Sequence, residues 1–147
     1  MRIGFDLDGT IADLDVGWLN RIRDLGTPEG EERSYYASRN KILDPYYLAA
    51  EGDDVFIITG RNPRLRAITE LWLSKNGLGH LPIIFTGEMK VPVGTNEEFR
   101  HVAKGKAAAL KKYNIRVYFE DNEIVVRALR EALPEVVIVQ VGSRIRW

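Results

Sequence analysis

The sequence contains no cysteine. This absence excludes disulfide bonds, thiolate metal sites and cysteine nucleophiles, and it fits a reducing compartment, where disulfides are rare. The chain also lacks an excess of charge of either sign, because 21 lysine and arginine residues balance 21 aspartate and glutamate residues. A dedicated nucleic-acid-binding domain usually carries a basic excess. The net charge therefore does not indicate a nucleic-acid partner, although it leaves room for a local basic patch.

Long hydrophobic runs are missing as well. The longest lies near Val136–Val141 and is far too short to cross a bilayer. Near the N-terminus, Asp6 and Asp8 interrupt the apolar stretch that a signal peptide would need. We therefore expect a soluble, cytoplasmic protein without a membrane partner. Its 147 residues match the size of a single domain, so we expect one domain over residues 1–147.

Short apolar runs are present, and they are apolar on successive residues rather than on alternate ones. This pattern is typical of strands that are buried on both faces of a parallel sheet. The runs are Arg2–Asp6, Asp54–Ile58, Leu81–Phe85, Arg116–Phe119 and Val136–Val139.

Helical patterns lie between the later runs, over Pro63–Asn76, Phe99–Tyr113 and Asn122–Leu133. The first has a proline in its first turn and ends before a glycine, as helices often do. Strands that alternate with helices predict right-handed crossovers. We therefore expect an α/β fold, a three-layer Rossmann-like sheet of about five mostly parallel strands.

Two segments do not fit this alternation. The first, at about residues 14–44, is helical with a break at Gly26–Gly30, and it follows the first strand. The second, Thr86–Asn96, is rich in glycine and proline and follows the third strand. Ligands of open α/β sheets bind beyond the carboxyl ends of the strands, so we expect these segments to act as a lid and a substrate loop.

Polar residues follow the strands at the same end. Asp6 and Asp8 come after the first strand, Thr59-Gly60-Arg61 after the second, and Glu120-Asp121 after the fourth. Lys104 opens the helix before the fourth strand. All of these groups would meet at one edge of a doubly wound sheet.

This set of residue types suits phosphoryl transfer. A carboxylate that attacks an anionic phosphate needs its repulsion cancelled, and Mg²⁺ held by carboxylates and water does this. Asp6 suits the role of nucleophile, and Asp8 that of acid for the leaving group and base for water. Lys104 would add positive charge beside them. The Thr59 hydroxyl would bind phosphoryl oxygens.

Glycine permits a close approach of the backbone, so the amides around Gly9 and Gly60 suit phosphoryl oxygens too. We assign Gly9, Thr10, Gly60 and Arg61 to substrate binding. The aromatic side chains of the 14–47 region are better explained by packing than by stacking on a base or sugar. They are Trp18, Tyr35, Tyr36, Tyr46 and Tyr47.

The four motifs in this order resemble those of the haloacid dehalogenase superfamily: Asp-x-Asp-Gly-Thr, a threonine after strand two, a lysine, and an acidic pair. The resemblance implies an aspartyl-phosphate intermediate on Asp6. It also implies Mg²⁺ bound by the Asp6 side chain, the Asp8 backbone carbonyl and the pair Glu120-Asp121. An aspartate at position 8 resembles the phosphatase and phosphotransferase branches. Residues 14–44 then look like a small cap insertion.

Two assignments within this resemblance stay open. The motif lysine is Lys104 or Lys106, and we favour Lys104 because family members with a Lys-Gly pair resemble that register. The main metal ligand of the acidic pair is Glu120 or Asp121, and we favour Asp121. The Thr59-Gly60-Arg61 form is also similar to polynucleotide 3′-phosphatase domains and some nucleotidases.

The leading hypothesis is therefore a Mg²⁺-dependent phosphatase that acts on a small-molecule phosphomonoester. A polynucleotide end-phosphatase and a phosphotransferase are alternatives with the same chemistry. A non-catalytic module that binds a phosphate ligand is the alternative from another class. The sequence determines neither the substrate nor the oligomeric state, because the substrate depends on loops grafted onto the fold.

Overall fold

The computed structural model describes residues 1–19, 29–87, 96–142 and 145–146. The strands are β1 (Arg2–Phe5), β2 (Leu14–Asp15), β3 (Asp54–Thr59), β4 (Ile83–Phe85), β5 (Val117–Glu120), β6 (Val137–Gln140) and β7 (Ile145–Arg146). The α-helices are α1 (Glu29–Ala37), α2 (Arg66–Lys75), α3 (Asn96–Lys112) and α4 (Glu123–Ala132). Short 3-10 helices cover Pro45–Tyr47 and Pro63–Leu65.

Five parallel strands form the main sheet in the order β4-β3-β1-β5-β6. They match the five predicted strands, so the expected α/β architecture is confirmed. β1 lies at the centre, where Phe5 is in register with Ile57 of β3 and with Phe119 of β5. The carboxyl ends of β1, β3 and β5 therefore lie side by side.

The sheet is covered on both faces, which produces the three layers. Alternate residues of β1 and β3, such as Phe5 and Ile57, pack against Trp72 and Leu73 of α2. The opposite face of the sheet carries Ile58 and packs against α3 and α4, whose apolar side chains include Leu110, Val126 and Leu129. Burial of both faces explains why the strands lack polar alternation.

Two asparagines set the starts of helical segments. The Asn62 side chain accepts a hydrogen bond from the Arg64 amide at the Pro63–Leu65 turn. The Asn122 side chain accepts from the amides of Ile124 and Val125 at the start of α4. Such caps satisfy amides that have no partner within the helix.

The 14–44 segment is only partly as predicted. It contains helix α1, but its first residues form β2, which pairs in parallel with β7 near the C-terminus. Helix was the wrong prediction for Leu14–Asp15, because their strand partner lies far away in the sequence. Residues 20–28, which include most of the Gly26–Gly30 break, lie outside the described residues, as do residues 88–95 of the Thr86–Asn96 loop.

Within the described ranges, every helix is too short or too polar to cross a membrane.

Candidate active site

Asp6 directly follows β1, and the chain then makes a compact turn. The Leu7 carbonyl accepts hydrogen bonds from the amides of Thr10, Ile11 and Ala12. Gly9 adopts a φ of +86°, which L-residues with a side chain rarely adopt. The buried Thr10 hydroxyl donates to Asp6 Oδ2 at 3.3 Å. The turn thus holds Asp6 and the residues after it at the sheet edge.

The lysine beside Asp6 is Lys106. Its buried Nζ donates to Asp6 Oδ1 at 2.7 Å and to Glu120 Oε2 at 2.6 Å. Lys104 is exposed, so the preference for Lys104 is corrected by the structure. Lys104 and Lys106 are two residues apart, and residues at that spacing on an α-helix point about 200° away from each other around the axis. The two lysines therefore cannot both face Asp6.

Gly105 lets α3 pack closely against the segment after β4. A Cβ at position 105 would lie 3.0 Å from the Thr86 carbonyl oxygen, in the segment after β4. The buried residues of α3 show which face carries the lysine: Ala103, Lys106, Ala109 and Leu110. The helical spacing of Ala103, Ala109 and Leu110 is compatible with Lys106 on that face, but spacing alone does not show that the face meets Asp6.

The two acidic residues after β5 have different surroundings. Glu120 is buried, and it accepts hydrogen bonds from Lys106 Nζ, from the Tyr118 hydroxyl at 3.3 Å and from the Asn122 amide at 3.2 Å. Asp121 is partly buried and lies against Gly9. Glu120 is thus held by protein donors, which favours Asp121 as the main metal ligand.

The pKa values of the acidic residues and the lysine at this sheet edge are shifted. Burial raises the pKa of Asp6 well above its usual value, and the charge of Glu120 adds to the effect. Burial and the charge of Glu120 also raise the pKa of Asp121, to about 7. Burial alone would lower the pKa of Lys106, but the charges of Asp6 and Glu120 outweigh it and raise that pKa. One ammonium therefore faces three carboxylates.

A divalent cation fits this excess of negative charge. One carboxylate oxygen from each of Asp6, Glu120 and Asp121 lies within 4.8 Å of the others, and oxygen ligands of this kind suit Mg²⁺. Gly9 is part of the fit, because a Cβ there would come within 2.1 Å of Asp121 Oδ2. The Asp8 carbonyl stays a predicted ligand.

Asp8 is bound by Arg61. The Arg61 Nε donates to Asp8 Oδ2 at 2.8 Å, and its Nη2 donates to Asp8 Oδ1 at 2.6 Å. The Arg61 side chain is 3% exposed and that of Asp8 is 24% exposed. The sequence assigns Arg61 to substrate binding, whereas the structure shows it as the partner of Asp8. The sequence contains no signal that pairs these two residues.

Thr59 and Gly60 end β3 beside this pair. Thr59 is buried, and its Oγ1 accepts from the Arg61 amide at 3.2 Å. Gly87, after β4, lies so close to Gly60 that a Cβ added at position 87 would be 2.3 Å from the Gly60 carbonyl oxygen. The structure therefore brings the predicted site residues to one edge, except for Lys104. Their catalytic and binding roles stay predictions.

No protein-family model and no curated protein sequence matches the chain. Solved structures do match its fold. One chain of the Pnkp1/Rnl/Hen1 RNA repair complex is 17% identical with a TM-score of 0.67, over 97% of this chain and 42% of that one. A second structure of the Pnkp1/Rnl/Hen1 complex gives 17% identity and a TM-score of 0.66, over 97% of this chain and 46% of that one. This chain thus spans less than half the length of either.

A shorter protein matches over nearly its full length. It is a haloacid dehalogenase family enzyme from Bacteroides thetaiotaomicron, solved with magnesium and inorganic phosphate. It is 16% identical with a TM-score of 0.55, over 99% of this chain and 96% of that one. The resemblance read from the motifs is thus matched at the level of structure: the chain shares the α/β fold of haloacid dehalogenase family enzymes.

Proposed function

We propose that the chain is a Mg²⁺-dependent phosphohydrolase that cleaves a phosphomonoester through an aspartyl-phosphate intermediate on Asp6. One observation supports it above the others: Asp6 lies against the buried Lys106 and within a buried acidic cluster that suits a divalent cation. The lack of cysteine agrees with a cytoplasmic location. We also propose that residues 14–44 act as a small cap.

The reaction has two steps. In the first, which begins with Asp8 protonated, a carboxylate oxygen of Asp6 attacks phosphorus, the bond from phosphorus to the leaving oxygen breaks, and Asp8 gives that oxygen its proton. In the second, water attacks the phosphorus, Asp8 takes the proton of the water, and the bond from Asp6 to phosphorus breaks. Inorganic phosphate leaves, and both aspartates return to their starting states.

The other groups stabilise charge during these steps. Lys106 orients Asp6 through its 2.7 Å hydrogen bond and places a positive charge beside the incoming phosphate. The Thr59 hydroxyl and the amides around Gly9 and Gly60 would bind phosphoryl oxygens. When bound by Asp6, Asp121 and the Asp8 carbonyl, Mg²⁺ would neutralise negative charge on the phosphoryl group.

Phosphate release from an aryl phosphate, with Mg²⁺ and with EDTA, tests this proposal. We expect activity only with Mg²⁺, and we expect Asp6→Asn to lower kcat by at least about a thousandfold, because the nucleophile is lost. Acid quenching of the wild type with radiolabelled substrate should trap a phosphorylated protein that Asp6→Asn lacks. An Asp6→Asn variant as active as the wild type would overturn the proposal.

A polynucleotide end-phosphatase is the second candidate. It is supported by the likeness to chains of the Pnkp1/Rnl/Hen1 RNA repair complex over 97% of this chain. Turnover of 3′-phosphorylated oligonucleotides would then exceed that of mononucleotides. Binding of Mg²⁺ and phosphate without turnover of any phosphoester would instead favour a non-catalytic phosphate-binding module, and transfer of the phosphate to a sugar would favour a phosphotransferase.

A further inference from the structure

The guanidinium of Arg61 has partners on three sides. Two of its nitrogens bind the Asp8 carboxylate. Its Nη1 donates to the buried Thr69 hydroxyl of α2 at 2.9 Å. The Tyr36 ring of α1 lies over it, with the guanidinium carbon 4.2 Å from the ring centroid. The sheet edge, α2 and α1 thus meet at one side chain.

Thr69 is itself held in place. Its hydroxyl donates to the Leu65 carbonyl at 2.7 Å, so its oxygen accepts from Arg61 in a fixed orientation. Arg61 is therefore held by Asp8 and Thr69 through its nitrogens and by the Tyr36 ring over its plane. Cation–π contacts between buried partners stabilise such an arrangement.

Further contacts hold Tyr36 over Arg61. Helix α1 is tied to the 3-10 helix that precedes α2 by a bidentate ion pair, in which Arg64 donates to Glu32 at 3.1 and 2.6 Å. Tyr35 and Tyr36 also form a buried apolar cluster with Leu65. The position of the Tyr36 ring is therefore set by how α1 docks on α2.

We propose that Tyr36 is a positioning residue for Asp8 that acts through Arg61, so that docking of α1 against α2 sets the geometry of the acid–base carboxylate. The inference rests on the proposed function. Arg61 occupies one lone-pair position on each Asp8 oxygen, and a carboxylate oxygen has a second. The Asp8 side chain is 24% exposed, so under the proposed function it stays accessible to the leaving oxygen of a substrate.

This role predicts a dependence on the leaving group. A phosphate ester of an alkyl alcohol needs a proton from Asp8 as the bond to phosphorus breaks, whereas p-nitrophenyl phosphate releases a stable anion that needs little help. A displaced Asp8 should therefore slow the alkyl ester more than the aryl ester. A defect in Asp6 or in metal binding would slow both.

The test compares Tyr36→Leu and Tyr36→Phe on p-nitrophenyl phosphate and glycerol phosphate. We expect Tyr36→Leu to lower kcat for glycerol phosphate about tenfold more than for p-nitrophenyl phosphate, with KM changed by less than about twofold, because misplaced catalytic groups lower kcat. Tyr36→Phe keeps the ring and should keep both rates. Tyr47→Leu, at a side chain that is 86% exposed, serves as the control.

Equal losses on both esters, or a Tyr36→Phe variant as impaired as Tyr36→Leu, would overturn the inference while leaving the phosphatase proposal standing. Should neither ester be hydrolysed by the wild type, the proposed function fails by itself. The contact is then tested by urea denaturation of Tyr36→Leu, Arg61→Met and the double variant. If the urea midpoint of the double variant shifts by less than the summed shifts of the two single variants, the Tyr36–Arg61 contact is supported. If the shifts are fully additive, the contact is refuted.

Discussion

The Lys106 ammonium lies 2.7 Å from Asp6 Oδ1, although the two residues are 100 positions apart in the sequence. The same ammonium lies 2.6 Å from Glu120 Oε2. One buried ammonium thus donates to two buried carboxylates, and Asp121 beside them is a third acidic group. This imbalance underlies the proposed metal site and most of the predictions that follow.

Substitution of Lys106 by methionine should impair both stability and activity. It leaves Asp6 and Glu120 buried without their cation, a change that typically costs about 3–5 kcal/mol of unfolding free energy. We also expect phosphatase kcat to fall at least about a hundredfold. Lys104→Met is the matched control at an exposed position of the same helix and should change stability by less than about 0.5 kcal/mol. Urea denaturation and steady-state kinetics measure both, and equal effects of the two variants would contradict the assignment.

Gly9 should tolerate alanine far less well than Gly52 does. The φ angle is +86° at Gly9 and +87° at Gly52, so the backbone conformations are alike. A Cβ added at Gly52 would meet nothing within 4 Å, whereas a Cβ added at Gly9 would clash with the Asp121 side chain. Gly52→Ala should cost only the backbone penalty of about 1–2 kcal/mol. Gly9→Ala should cost more and should weaken Mg²⁺ binding as measured by calorimetry. A Gly9→Ala variant with unchanged Mg²⁺ affinity would argue against Asp121 as a metal ligand.

The stability of the metal-free protein should fall as the pH rises through the acidic range. The pKa of Asp121 is about 7 in the folded chain, against a value of 3.8 without the surrounding structure. Between these values the folded state binds more protons than the unfolded state, so this group destabilises the fold as it ionises. The raised pKa of Asp6 acts in the same direction.

Mg²⁺ should reverse this loss, because metal ligands must be deprotonated to bind. We expect the rise in Tm on adding Mg²⁺ to be larger at about pH 8 than at about pH 5.5. Asp121→Asn should reduce the rise at the higher pH, and samples with EDTA provide the baseline. A Mg²⁺ effect independent of pH would argue against these carboxylates as ligands.

Removal of the Tyr118 hydroxyl should destabilise the protein by about 1–2 kcal/mol. That buried hydroxyl lies 3.1 Å from the Ile58 carbonyl oxygen and 3.3 Å from Glu120 Oε2, and a phenylalanine leaves both acceptors with one donor fewer. Tyr47→Phe, at an exposed position, is the control and should be neutral. Equal midpoints in urea for Tyr118→Phe and the wild type would show that the hydroxyl contributes nothing to the network.

The fold was readable from local patterns because burial of both sheet faces leaves a strong trace. Runs such as Val55–Ile58 lack polar residues, since one set of side chains faces α2 and the other faces α3 and α4. The start of the 14–44 segment was not readable in this way. Leu14–Asp15 is a strand only because it pairs with Ile145–Arg146, and no local pattern reveals a partner at the other end of the chain.

By itself, the sequence determined the parallel α/β arrangement and the presence of Asp6, Asp8, Thr59 and the pair Glu120-Asp121 at the carboxyl ends of strands. These follow from strand ends and from residue types, which are local properties. Only the tertiary structure decided that Lys106 rather than Lys104 contacts Asp6, and that Arg61 binds Asp8. Those outcomes depend on the rotation of α3 about its axis and on the close packing of separate elements, which no local pattern specifies.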